Sequence, residues 1–281
     1  MPADRADAPA VAQTIASPNV DVATIADTGA LPPDTMGDIG PTQYLVGLNG
    51  RVRTIAKATG AADGALDADS DVFFPPAVRG AGVTTDPRVR YDRRTSRWFV
   101  LMITVAVPNR FLLAVSDGPN ITAATAWSYY QWANTRTEAG SGAFGCLADY
   151  PSLGLDEDAL YIGVNQFCGA DLNNLGFDSV SVFVVNKAAL VGGTLSLAQF
   201  DGVLPSFNSN GIYSAQGVDN FDSNTNTGYV IGVDNAFFGS LVLHRISSPA
   251  SAPSISGPIS IGVAATAVPI DVPHPGGVLP L

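Results

Sequence analysis

Histidine and glutamate, two common carriers of acid–base chemistry, are few in this chain. It holds two histidines, His244 and His274, and two glutamates, Glu138 and Glu157. His244 falls in a strand-like run and His274 in a Pro-rich tail, so a catalytic histidine is all but excluded. No Gly-x-Ser-x-Gly, His-Glu-x-x-His or phosphate-loop pattern occurs; each of those chemistries needs its residues at that spacing. Glycoside hydrolysis needs two carboxylates flanking the bond. Aspartates are plentiful, yet none forms a recognisable acid/base pair, and Asp86 and Asp149 are the two at which such a pair is best tested.

Two runs alternate oxygen-bearing side chains as calcium cages do: Asp67-Ala68-Asp69-Ser70-Asp71 and Asp222-Ser223-Asn224-Thr225-Asn226. The first lacks the sixth-place glycine and twelfth-place acid of an EF-hand loop. The second, with Asp222, Asn224 and Asn226, is the better calcium candidate because it lies within a hairpin. A solvated turn is the plainer reading of both. No other cofactor is expected. The stretch 88–97 carries five arginines, Arg88, Arg90, Arg93, Arg94 and Arg97. Such a run suits a carboxylate, but Arg88 and Arg90 alternate along a strand and read rather as a solvated face.

Cys146 and Cys168 are the only cysteines. Their midpoint is residue 157, at the centre of the turn Asp156-Glu157-Asp158. Strands flanking that turn would set the two thiols opposite one another, where Cβ atoms lie about 4.5–5.5 Å apart, near disulfide reach. A disulfide is therefore expected, and with it an oxidising compartment.

The elements that must carry these residues repeat. Four segments share an order of Asp-led turn, aromatic and β-rich run. They start at Asp38, Asp92, Asp156 and Asp222 and have Tyr44, Trp98, Tyr161 and Tyr229 as their aromatics, spaced by 54, 63 and 68 residues. An Asp opening a turn accepts backbone N–H bonds two residues on, so these aspartates are expected to be structural. Strand-like runs precede three of them, at 88–91, 152–155 and 216–221. Third strands are expected at 51–56, 111–116, 179–185 and 240–246, and fourth strands at 72–74, 127–132, 195–200 and 259–265. The one helix expected is short, at 186–190. Repeated four-stranded antiparallel units predict an all-β β-propeller with about four blades. The expected domains are a flexible leader, 1–30, and blades near 31–80, 81–140, 141–205 and 206–270, followed by a Pro/Gly-rich tail. A β-sandwich with accidental likeness between hairpins is the competing fold.

Composition limits the partners. A net charge of −11 over 281 residues opposes nucleic acid and anionic membrane surfaces. No apolar run is long enough to span a bilayer. The opening, Met1-Pro2-Ala3-Asp4-Arg5, lacks the apolar stretch of a secretory signal. Either export takes another route or the natural start lies elsewhere; the second is expected, because the rest reads as extracellular.

Three runs carry a family resemblance: Pro32-Pro33-Asp34-Thr35-Met36-Gly37-Asp38-Ile39-Gly40-Pro41; Asp86-Pro87-Arg88-Val89-Arg90-Tyr91-Asp92 with Arg97-Trp98-Phe99; and Asp149-Tyr150-Pro151-Ser152-Leu153-Gly154. The chain resembles a family of uncharacterised secreted bacterial β-propeller proteins, over roughly residues 31 to 280. In such proteins a segment like Pro273-His274-Pro275-Gly276-Gly277 leads into further blades, which implies an N-terminal portion of a six- or seven-bladed ring; a closed four-bladed ring is the alternative. The run Tyr91-Asp92-Arg93-Arg94-Thr95-Ser96-Arg97-Trp98 is also distantly similar to the repeated turn of sialidase propellers, without its glycine.

In a propeller, loops entering first strands and loops joining second to third strands share one face. That face would gather Asp86, Arg88, Asn109, Arg110, Asp149, Tyr150, Tyr213 and Gln216, plus the loop 169–178. The expectation is an extracellular, monomeric, non-catalytic binding or structural module whose ligand is a glycan or a protein. The alternatives are a glycoside hydrolase or lyase using aspartates of the same face, and a calcium-dependent adhesion domain.

Overall fold

A computed structural model describes residues 28–30, 32–136, 145–204, 211–223, 226–265 and 267. Glu138, Asn224, His274, the tail and most of the expected leader fall outside these residues.

The described chain is a β-propeller-type stack of four antiparallel sheets. The first is β1 (Met36–Ile39), β2 (Gln43–Leu48), β3 (Arg51–Ala56) and β4 (Ala62–Ala68), in that order. The second is β5 (Val83–Asp92), β6 (Arg97–Val105), β7 (Arg110–Ser116) and β8 (Trp127–Ala133). In the third, β9 (Cys146–Asp149) and β10 (Gly154–Leu155) share the first place, both pairing β11 (Ala159–Gly169). Pro151 lies in the break between them and has no N–H to give the ladder. β12 (Leu175–Asn186) and β13 (Leu197–Leu204) complete that sheet. The fourth runs β14 (Ile212–Gly217), β15 (Thr227–Asp234) and β16 (Ser240–Ser247), with β17 (Ser254–Ile255) and β18 (Ile259–Gly262) both paired to β16.

Alternation along the strands explains the stacking. On β6, Trp98, Val100 and Met102 pack with Leu45 and Val52 of the first sheet. The intervening Phe99, Leu101 and Ile103 pack with Leu160, Ile162 and Phe183 of the third. On β11 and β12, Tyr161, Val182 and Val184 turn to Val230 and Val242 of the fourth. The two middle sheets are therefore apolar on both sides, and their strands read as continuous hydrophobic runs. At the third interface the backbones nearly touch. A Cβ on Gly154 would lie 2.2 Å from the Gly217 carbonyl carbon, so neither sheet tolerates a side chain there.

Several expectations need correction. Residues 72–74 are not a strand: Asp69 caps a short helix, α1 (Ser70–Phe73), by accepting the Asp71 N–H, and β4 takes the fourth place instead. Two further short helices occur, α2 (Pro76–Arg79) and α3 (Lys187–Val191), the last near the expected site. The first strand of the fourth sheet lies at 212–217, not 216–221. The aromatics do not share a face. Aligning the strands on their β-ladders sets Tyr44 with Trp98 but with Leu160 and Gly228, not Tyr161 and Tyr229. One residue of offset turns a side chain to the opposite side of a sheet. Trp98 therefore faces the preceding blade and Tyr161 the following one.

Of the four repeated aspartates, two form the expected turns. Asp92 accepts the Arg94 and Thr95 N–H groups, and Asp156 those of Asp158 and Ala159. Asp38 instead lies in β1 and accepts Tyr91 N–H from the next blade. At the fourth unit Asn220 accepts the Asp222 N–H, and residues 224 and 225, which a turn opened by Asp222 would engage, lie outside the described residues.

The expected disulfide is present. Cys146 and Cys168 are direct ladder partners on β9 and β11 and are bonded.

Candidate functional site: the two ends of the first strands

The four first strands share a backbone device. Asp34, Asp86, Tyr150 and Ser214 all have φ between 47° and 54°. Such left-handed conformations are uncommon without glycine and need support from their surroundings. Here the support passes from blade to blade. Asn49, following β2, accepts the Asp86 N–H at 2.9 Å and also donates to the Asp34 carboxylate. Asp86 in turn accepts the Tyr150 N–H at 3.1 Å. Asn165 on β11 accepts the Ser214 N–H and donates to its hydroxyl. Each αL residue of the second to fourth blades is thus held by a side chain of the blade before it.

This chain of bonds gathers carboxylates. Burial pushes the Asp86 carboxyl above its ordinary range, and the charges of Asp149 and Asp34 add to the rise. Burial likewise raises Asp149, with Asp34 adding to it, while Arg88 pulls both down. Arg88 is 6% exposed, so the sequence expectation of a solvated arginine is wrong. One guanidinium N–H binds the Pro87 carbonyl, and the group lies 5.1 Å from the centre of the Tyr150 ring. Arg90 is not solvated alone either: it pairs with Asp219 at 3.0 Å. Tyr150 remains 48% exposed, an aromatic plate backed by a buried cation.

The remaining expected residues divide. Tyr150, Tyr213 and Gln216 do meet, around a shallow groove completed by Ser214, Ile231 and Leu241. Tyr213 also packs against Phe177 with the rings tilted at 51°, 5.4 Å between ring centres. Asn109 does not reach the face. It is fully buried, and its amide is consumed by the Ala148 N–H and carbonyl, tying the β6–β7 loop to β9. Arg110 binds Gln131 on the fourth strand, farther from the first strands.

The expected calcium positions lie apart from this face. Asp67 is engaged by Arg51 and Arg53, Asp69 caps α1, and Asp71 binds Thr84. Asp222 and Asn226 lie in the β14–β15 connection, and Asn224 lies outside the described residues. Among the described residues no group of three His, Cys, Asp or Glu side chains is arranged to hold a metal.

The opposite ends of the first strands are built differently. Lys187, starting α3, is 2% exposed and pairs with Asp92 of the second blade at 2.9 Å. Its ammonium also donates to the Asp156 carbonyl. Burial alone would raise Asp92; bonds from Lys187, Thr95 and the Arg94 N–H overcome that and hold it below its ordinary range. Tyr161 donates to the Asp156 carboxylate, and burial with that bond pushes its hydroxyl far up.

Sequence reasoning missed Asn49, Asn165, Ser214 and both lysines. The lysine signal was there to find. Lys57 and Lys187 each directly follow a third strand, and each donates to a carbonyl at the turn before the second, that of Gly40 or Asp156.

No protein-family model matches the chain and no curated protein matches it. Among solved structures, a subtype N11 neuraminidase-like protein from a flat-faced bat isolate of Peru is similar over 82% of this chain and 58% of its own, at 8% identity and a TM-score of 0.43. An α-L-arabinanase of Cellvibrio cellulosa is similar over 76% of this chain and 70% of its own, at 10% identity and a TM-score of 0.37. A Synechocystis apocarotenoid oxygenase variant is similar over 79% and 47%, at 10% identity and a TM-score of 0.41. At these identities the likenesses say nothing of what this chain binds.

Proposed function

We propose that the chain is an extracellular, non-catalytic binding module that takes a glycan against Tyr150. The observation that carries this is the exposed Tyr150 ring, fixed on Arg88 and bordered by Asp149, Tyr213 and Gln216. A sugar offers an apolar C–H face to such a ring and hydroxyls to the flanking polar groups. Against catalysis stands the engagement of Asp86. One oxygen takes the Tyr150 N–H and the other the Thr85 hydroxyl, so it serves as a tie between blades. The disulfide supports an oxidising location. No helix among the described residues is long and apolar enough to cross a membrane.

A glycan array on the protein, run beside a hydrolysis screen of the bound sugars, tests the reading. Binding without turnover is the expected result. A second reading, hydrolysis with Asp149 as the acid, draws on its raised carboxyl. Turnover that disappears in Asp149→Asn would establish it and remove the first.

A further inference from the structure

At the hairpin end, away from Tyr150, a second cleft opens between blades. Its lining includes Asp38 from β1, Arg90 and Arg93 from the second blade, and Asp219 and Phe221 from the connection after β14. The walls are fixed by bonds across the stack. Asp38 accepts the Ile39 and Tyr91 N–H groups, both at 2.7 Å. Asp219 accepts the Leu155 N–H at 3.0 Å and the Arg90 Nε–H.

Arg93 differs from its neighbours. Arg90 and Arg94 each have a carboxylate partner, Asp219 and Glu157. Arg93 is exposed and lies over the Phe221 ring, 5.6 Å from its centre. Among the described residues it forms no ion pair. Lying over a ring leaves the in-plane N–H donors of a guanidinium available, and that fork matches a carboxylate.

The other walls narrow the ligand. Asp38 and Asp219 are anions with lone pairs to spare, so they accept hydroxyls and repel a second negative charge. Phe221 and Ile39, 47% and 48% exposed, offer an apolar surface. One carboxylate, adjacent hydroxyls and an apolar ring face together describe a sugar acid. Phosphate esters and polyanions carry too much charge for these walls.

We propose that this cleft binds the uronic acid unit of an acidic saccharide, with Arg93 holding its carboxylate and Asp38 and Asp219 its hydroxyls. It lies at the other end of β5 from Tyr150, so its occupancy is independent of the first face.

Titration calorimetry at physiological salt, with methyl glucuronide and methyl glucoside as probes, tests this. The glucuronide binds, and the glucoside at least about tenfold more weakly, the scale of one charge-assisted pair. Arg93→Gln, a change at an exposed side chain that leaves the melting temperature in place, weakens the glucuronide by a similar factor and abolishes the difference. Tyr150→Ala leaves both titrations as they were. Equal binding of the two sugars, insensitivity to Arg93→Gln, or no glucuronide binding would each overturn the proposal. So would an acetylated dipeptide carboxylate that binds as tightly as the glucuronide.

Discussion

Asp86 and Asp92 lie on the same strand, six residues apart, and end in opposite electrostatic states. Both are withdrawn from water. Asp86 meets two more carboxylates and is pushed up. Asp92 meets the ammonium of Lys187 and is held down. Burial raises both, so the partner decides the sign. At the hairpin end the Lys187–Asp92 pair thus closes a buried charge internally and locks the second blade to the third. The other end leaves charge under-compensated beside an exposed aromatic, as binding sites often do.

The largest test of that contrast is Lys187→Met. It strands a buried carboxylate and should cost about 3–5 kcal/mol in urea unfolding. Asp86→Asn keeps an acceptor for Tyr150 N–H while removing one of the clustered charges, so it should change stability by no more than about 1 kcal/mol. Similar losses for the two would erase the distinction. Next in size is the disulfide, whose cysteines are 22 residues apart on the strands leading to Tyr150. Its replacement by two serines should cost about 3 kcal/mol.

The pH dependence separates the ends by sign. Asp92, lowered, contributes stability present above the ordinary Asp value and lost as pH falls through its depressed one. Asp86 and Asp149, raised, act oppositely: their penalty appears as pH rises from the ordinary value and is complete above their raised ones. Melting temperatures from neutral pH down to the ordinary carboxylate range should therefore include a gain that shrinks in Asp86→Asn. An unchanged pH profile in that variant would show that the cluster is not electrostatically strained. The smallest effect belongs to the half-exposed Arg90–Asp219 pair. Arg90→Gln should cost less than about 1 kcal/mol.

Much of the fold was legible because strand alternation and turn residues are local. The repeat order located the second strands, and the symmetry of Cys146 and Cys168 about residue 157 anticipated their pairing. The first blade misled because the apolar 72–74 stretch is a capped helix, whereas β4, with Asp63, Gly64 and Asp67, carries little β signal. The aromatic alignment failed for a non-local reason: which side a residue faces depends on ladder register, and hairpin lengths differ between blades. Of the candidate site, Asp86, Arg88, Asp149 and Tyr150 do converge, because the repeats return first strands to one place. Asn109 could not be told from a surface residue, since its partner, the Ala148 backbone, comes from the next blade. The Asn49, Asp86 and Asn165 ties were invisible for the same reason.

The most direct measurement is the affinity of the strongest array-selected neutral glycan, one without a uronic acid unit, for the wild-type protein and for Tyr150→Ala. Tyr150 contributes an exposed ring, so its loss should abolish binding while the melting temperature holds. Undiminished affinity in the variant would contradict a binding face at this end of the first strands.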